Sequence, residues 1–290
     1  MNETGVEERP GLAGALPSVW GVWGGISGPP TQIMAQWTRV AVGLAIALAL
    51  TLGGGHVETV SAQVMTIPFG APGDLPVVGR WTGNRTTNIG VYRPTTSTFY
   101  LRTQNTHGPP DLVIAFGAPG DVPLVGRWCP SVPSTPAGDE PAVYRSSIRS
   151  VVFRCANEIS IVPFGGSGDI PVAGDWRSKG FTTIGVYQTK DSAFVLSLGP
   201  GVGLVIPFGA PGDIPVIRHL STGSLIGVYR PKTSTFLLSN SHTAPSPDTV
   251  IPFGAANDIP LIGDWTGDGT PKVGVYRPRE TTFYLKTTFP

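Results

Sequence analysis

One phrase returns five times along the chain, and a repeat of this kind constrains the fold more than any other feature. Variants of Ile-Pro-Phe-Gly-Ala-Pro-Gly-Asp place Phe69, Phe116, Phe164, Phe208 and Phe253 at intervals of 47, 48, 44 and 45 residues. Each is followed by Asp-x-Pro, at Asp74, Asp121, Asp169, Asp213 and Asp258. A short apolar stretch comes next, reading PVVGRW, PLVGRW, PVAGDW, PVIRHL and PLIGDW. After a variable loop come IGVYRP, PAVYRS, IGVYQT, IGVYRP and VGVYRP, then TFYLR, VVFRC, AFVLS, TFLLS and TFYLK. The matches span residues 64 to 288.

Each unit thus holds four short runs rich in Val, Ile, Tyr, Phe and Thr, separated by Gly, Pro and Asp. Those are strand and turn signals. Gly and Pro make up 69 of the 290 residues, which suits an all-β chain with many tight turns. Four strands per repeat is the unit of a propeller blade, so the expected fold is an all-β, five-bladed β-propeller of four-stranded blades. The phase of the repeats adds a prediction. If a blade runs from PVVGRW to the next IPFG, the fifth lacks its outer strand, and residues 64–69 are the spare that completes it and closes the ring. Covering that edge removes unpaired backbone groups that would invite aggregation.

Residues 40–52 (VAVGLAIALALTL) form an apolar run of 13 residues, short for a transmembrane helix and suited to a signal-peptide core. Arg39 precedes it, and Val60-Ser61-Ala62 offers a cleavage pattern before Gln63. The expected organisation is therefore a disordered or mis-assigned extension over 1–33, a signal peptide over 34–62 starting at Met34, and the five-repeat propeller over 63–290. The alternative is an uncleaved membrane anchor. Cleavage would leave no membrane span and an extracellular or cell-surface protein. A net charge of +1 gives no bulk attraction to nucleic acid, so no nucleic-acid partner is expected, and the propeller is read as a monomer.

The phrases GDWTGDGTPKVGVYRP (263–278) and IPFGAPGD resemble FG-GAP/VCBS-type repeats of bacterial exported proteins, and more distantly the integrin α propeller and five-bladed tachylectin-like lectins. The resemblance implies adhesion or recognition and no particular ligand. It also implies a calcium loop between the first two strands of a blade, in the form Asp-x-Asp-x-Asp-Gly with one more Asp. Blade five comes closest, with Asp264, Thr266 and Asp268, yet Lys272 stands where the last carboxylate belongs. Two readings stay open: a weak Ca²⁺ site, the one cofactor considered, or turn chemistry alone.

The repeating Asp and Arg residues fall on one face as Asp74–Arg93, Asp121–Arg145, Asp213–Arg230 and Asp258–Arg277, with Gln188 opposite Asp169. They read either as turn-stapling ion pairs or as a ring of polar-ligand sites. Trp81, Trp128, Trp176 and Trp265 read as core between blades, since blade four has Leu220 there. The tyrosines Tyr92, Tyr144, Tyr187, Tyr229 and Tyr276 read likewise, with hydroxyls at an edge. Cys129 and Cys155, both in blade two, read as a disulfide in an exported protein. His107 lies in the first repeat and His219 and His242 in the fourth, none in a metal-spacing motif, and no nucleophile elbow or phosphate loop appears. No catalysis is expected. The sequence supports a binding or adhesion module for a glycan, a surface polymer or a protein, or else a structural envelope or matrix protein. The long loops Thr103–Asp111, Pro130–Pro141 and Asn240–Asp248 should lie on the face opposite the Asp–Arg pairs.

Overall fold

The computed structural model describes residues 63–129, 138–156, 158–243 and 246–289. The expected extension and signal peptide, and most of the Pro130–Pro141 loop, lie outside the described residues. Among the described residues, twenty strands form five antiparallel sheets of four. Blade one is β2 (Leu75–Gly79), β3 (Asn88–Arg93), β4 (Thr98–Leu101) and β5 (Leu112–Ala115). Blade two is β6 (Val122–Gly126), β7 (Glu140–Arg145), β8 (Ser150–Cys155) and β9 (Glu158–Pro163). Blade three is β10 (Ile170–Gly174), β11 (Thr183–Gln188), β12 (Ala193–Gly199) and β13 (Val202–Pro207). Blade four is β14 (Ile214–Leu220), β15 (Gly223–Arg230), β16 (Thr235–Leu238) and β17 (Thr249–Pro252).

Blade five is β18 (Ile259–Gly263), β19 (Lys272–Arg277) and β20 (Thr282–Lys286), completed by β1 (Val64–Pro68) from the other end of the propeller. Val64 pairs with Lys286 and Pro68 with Thr282, and the Phe69 N–H continues the ladder to Thr281 O at 2.9 Å. The ring is therefore closed by the spare strand, as the repeat phase requires. The innermost strands β2, β6, β10, β14 and β18 contact one another in turn around the axis. Their second residue is always proline: Pro76, Pro123, Pro171, Pro215 and Pro260. Proline lacks the N–H that a paired edge needs, and the axial edge of an innermost strand is unpaired, so it is tolerated there.

The core lies between blades. Across the two middle strands, Tyr92 packs on Phe99, Tyr187 on Phe194, Tyr229 on Phe236 and Tyr276 on Phe283, with ring centroids 4.7–4.8 Å apart. Such cross-strand aromatic pairs contribute roughly 0.2–1 kcal/mol each beyond Ala–Ala pairs. Blade two sets Val151 opposite Tyr144 instead. All five tyrosines are wholly buried, hydroxyls included, which corrects their expected edge position. Each ring ends under the glycine that follows the next Phe of the repeat. A Cβ on Gly117, whose φ is +115°, would lie 2.7 Å from the Tyr92 hydroxyl. Only glycine fits both that backbone and that gap. The four tryptophans are buried too.

Candidate ligand site at the axial mouth

The turn that opens each blade is built around its aspartate. Asp74 accepts the Ala71 N–H at 2.9 Å and a two-pronged contact from Arg93, at 2.9 Å from both Nε and Nη2. Asp121–Arg145, Asp213–Arg230 and Asp258–Arg277 repeat this arrangement at 2.8–3.1 Å. These carboxylates are at most 2% exposed while their arginines are about a third exposed. In blade three, Asp169 takes the Gly166 N–H at 2.8 Å, and among the described contacts none joins it to Gln188. Every carboxylate oxygen of the four pairs is thus engaged inside the protein, and Arg93 and Arg277 also stack on Tyr100 and Tyr284. The pairs staple turns and offer a ligand little. A cavity of about 400 Å³ beside Phe69, Tyr100 and His107 is walled by the same satisfied Arg93.

The opposite face carries the loops between first and second strands, and the loops between third and fourth. The latter are held rather than loose. Asp111 accepts the Thr103 N–H at 2.8 Å and faces Arg102 at 2.9 Å, while Asp248 accepts the Asn240 N–H at 2.6 Å. The disulfide joins Cys129, after β6, to Cys155, at the end of β8, with Cα atoms 5.6 Å apart across the intervening β7. That spacing sits in the normal range for a bridge.

Around the axis a backbone clamp recurs between neighbouring blades. The residue before each tryptophan donates its N–H to a side chain of the next blade and accepts that residue's N–H on its carbonyl. Arg80 does so with Asp139 (2.8 and 3.0 Å), Arg127 with Thr182 (2.9 and 2.7 Å), Asp175 with Ser224 (2.9 and 2.9 Å) and Asp264 with Thr87 (3.0 and 2.8 Å). Between blades four and five the partner position is Pro271, which has neither N–H nor acceptor side chain. There His219 turns its Nδ1 to Ser224 Oγ of its own blade, at 2.9 Å.

The clamp uses only the main chain of the axial residues, so it does not dictate their side chains. They line the mouth of the axis, a cavity of about 320 Å³ whose wall includes Arg80, Arg85, Arg127, Asp139, Asp175 and His219. Asp139 is tied to the Arg80 N–H, and Asp175 to the N–H groups of Lys179 and Gly180 at 2.9 and 2.7 Å. The guanidinium groups of Arg80, Arg85 and Arg127 make no hydrogen bond or ion pair to any described residue. His219 is exposed at the mouth, where the crowding of surrounding atoms desolvates its imidazole and pushes it below its ordinary range against the pull of Asp139. Sequence reading passed over this site. Its signal was the varying residue before tryptophan, Arg, Arg, Asp, His and Asp, in an otherwise regular phrase.

In blade five, Asp264 accepts N–H groups from Gly267, Asp268 and Gly269 at 2.7–3.1 Å. Thr266 and Asp268, the other two residues of the candidate calcium loop, both turn their oxygens to the ammonium of Lys272.

The fold and the site define a closed five-bladed propeller with a polar axial mouth. No family model matches the chain, and no curated protein matches it. Among solved structures it is similar to a chain in the crystal structure of BBS1N in complex with ARL6DN, soaked with lead. The two are 11% identical with a TM-score of 0.35, over 74% of this chain and 69% of that one.

Proposed function

We propose that the chain is an exported, non-catalytic recognition propeller that binds an acidic polymer, such as a glycan carrying carboxylate or sulfate groups, at its axial mouth. The observation that carries this reading is chemical diversity at one repeated position. Arg80, Arg127, Asp175 and His219 stand at the same repeat position in four blades, and at the first three the clamp to the next blade uses only their main chain. Three guanidiniums without a hydrogen-bond or ion-pair partner among the described residues suit carboxylate or sulfate oxygens, which arginine grips through paired N–H groups. The resemblance to FG-GAP/VCBS-type repeats supports a surface-recognition role, and the disulfide supports an oxidising, exported setting.

The test is an array of acidic and neutral polysaccharides probed with the purified protein and with an Arg80→Ala/Arg127→Ala variant. Charge-assisted hydrogen bonds are worth about 1.5–3 kcal/mol each, so the variant should bind acidic glycans at least about 10-fold more weakly. Binding should also weaken with salt. Equal binding by the variant, or capture of neutral glycans alone, would refute the site. A second reading, a structural envelope or matrix protein without a discrete ligand, draws on the apolar rim. Val113, Ile161, Val205 and Val250 are 54–60% exposed on the outer strands of four blades. It gains if no glycan binds.

A further inference from the structure

Blade five holds a cation pocket filled by the protein itself. The run Asp264-x-Thr266-x-Asp268-Gly269-Thr270-x-Lys272 sets oxygen donors at the first, third, fifth and seventh positions, with the turn glycine at the sixth, which is the spacing of a looped calcium site. The ninth position, where such loops put another ligand, is Lys272. Its side chain runs back into the loop and is only 3% exposed. The ammonium lies 2.8 Å from Thr266 Oγ1, 2.8 and 2.7 Å from the two Asp268 oxygens and 2.9 Å from Thr270 O. Asp264 Oδ1 lies 3.9 Å away, on a fully buried carboxylate. The same residues that would ligate a metal surround the ammonium, and together with the Thr270 N–H it holds the Asp268 carboxyl well below the usual range.

We infer that Lys272 is a tethered replacement for Ca²⁺, and that the propeller's fold is therefore independent of calcium. Three physical points support it. A calcium ion needs six to eight oxygens at about 2.3–2.6 Å, and four of the loop's oxygens already face a positive charge. A buried ammonium has no other partner to turn to if a metal displaces it, and leaving a buried charge unpaired is strongly unfavourable. Finally, a covalently attached cation cannot dissociate, so dilution or chelation cannot empty the pocket.

The experiment compares melting temperatures and calorimetric Ca²⁺ titrations of the whole protein, in excess calcium and in chelator. The wild type should bind no calcium and melt at the same temperature in both. Lys272→Asp restores a carboxylate at the ninth position. It should melt lower than wild type in chelator and gain about 5–10 °C at calcium about 100 times its dissociation constant. Lys272→Met, which fills the space without charge, should be destabilised and unmoved by calcium. If Lys272→Asp does not fold, Lys272→Ser takes its place with the same expected gain. A wild type that binds calcium or melts higher with it overturns the inference, as does a charge-restored variant that gains nothing.

Discussion

Blade four breaks the repeat twice within three residues, and the two breaks should be energetically one. Elsewhere the phrase reads Gly-x-Trp, and in blades one, three and five the tryptophan ring folds back over the glycine. A Cβ on Gly79, Gly174 or Gly263 would meet that ring at 2.4–2.5 Å. Nothing larger than hydrogen fits beside the indole. Blade four carries Arg218 at the glycine position and Leu220 at the tryptophan position. The shorter leucine frees the space over residue 218, and the buried arginine uses it, donating to Ser239 O at 2.9 Å and Asn240 Oδ1 at 2.6 Å. The fit is imperfect, because Arg218 Nε is buried without a partner.

Leu220→Trp alone should drive the indole into Arg218, an overpacking cost of about 1–3 kcal/mol. Arg218→Gly alone should leave a cavity and two stranded acceptors, costing about 2–4 kcal/mol. The double variant restores the phrase used by the other four blades, so both penalties cancel. It should fall within about 1 kcal/mol of wild type, a coupling of at least about 2 kcal/mol in the double-mutant cycle. The assay is urea unfolding followed by circular dichroism, read as midpoint shifts at constant slope. Singles that add to within about 0.5 kcal/mol would refute the reasoning, since they would show that the two side chains do not share one space.

Burial without a hydrogen bond pushes the Tyr276 hydroxyl up to about 12. Between about pH 10 and 12 the unfolded chain releases this proton while the native protein keeps it, so stability falls as pH rises through that window. Tyr276→Phe should flatten the alkaline limb in urea melts and cost less than about 1 kcal/mol at neutral pH; a larger loss there would mean the hydroxyl has a partner. Breaking the Cys129–Cys155 bridge, whose separation is 26 residues, should cost about 3.5 kcal/mol on the loop-entropy model. Cys129→Ser/Cys155→Ser should then melt about 7–14 °C below the oxidised protein, and an unchanged melting temperature would remove the bridge's structural role. Thr281 holds φ at +47°, a left-handed conformation poorly suited to a β-branched residue. Thr281→Asn should raise unfolding stability by about 0.5–1 kcal/mol, checked in urea, and a loss would place the threonine's value in its own contacts.

The ring was legible because its causes are local and repeated. Pro and Gly mark every turn, strand runs alternate with them, and the unpaired outer strand of blade five could be counted from the phase alone. The Asp–Arg partners could be named from strand direction, since the start of one strand and the end of its antiparallel neighbour must share a face. The Tyr hydroxyls were misplaced because period-two patterning gives the face of a side chain, not what lies over its tip; the covering turn belongs to the next repeat. The axial clamp was missed for a related reason. It joins residues such as Asp264 and Thr87, 177 positions apart, and one side of it uses main-chain groups that leave no mark on residue choice. Lys272 was seen as a wrong charge in a ligand row. What sequence could not say is that a long flexible side chain can turn inward and supply the cation.

These features divide the molecule's labour between its two faces. On one face blades one, two, four and five repeat the same Asp–Arg staple, which engages every oxygen of those four carboxylates. On the other, the clamps at four of the five junctions use only the main chain of the residue before tryptophan, so the side chain at that one position can differ without opening the ring. A binding surface evolves most freely where sequence change costs least stability, and fold by itself assigns no ligand. The unclamped junction at Pro271 lies beside the loop that Lys272 fills. Where that clamp fails, the buried Lys272 ammonium and its oxygen partners within blade five hold the loop instead. Acidic polymers collect divalent metals, so a propeller built to bind them would compete with its own ligand for a structural calcium ion. An ammonium that cannot leave removes that competition.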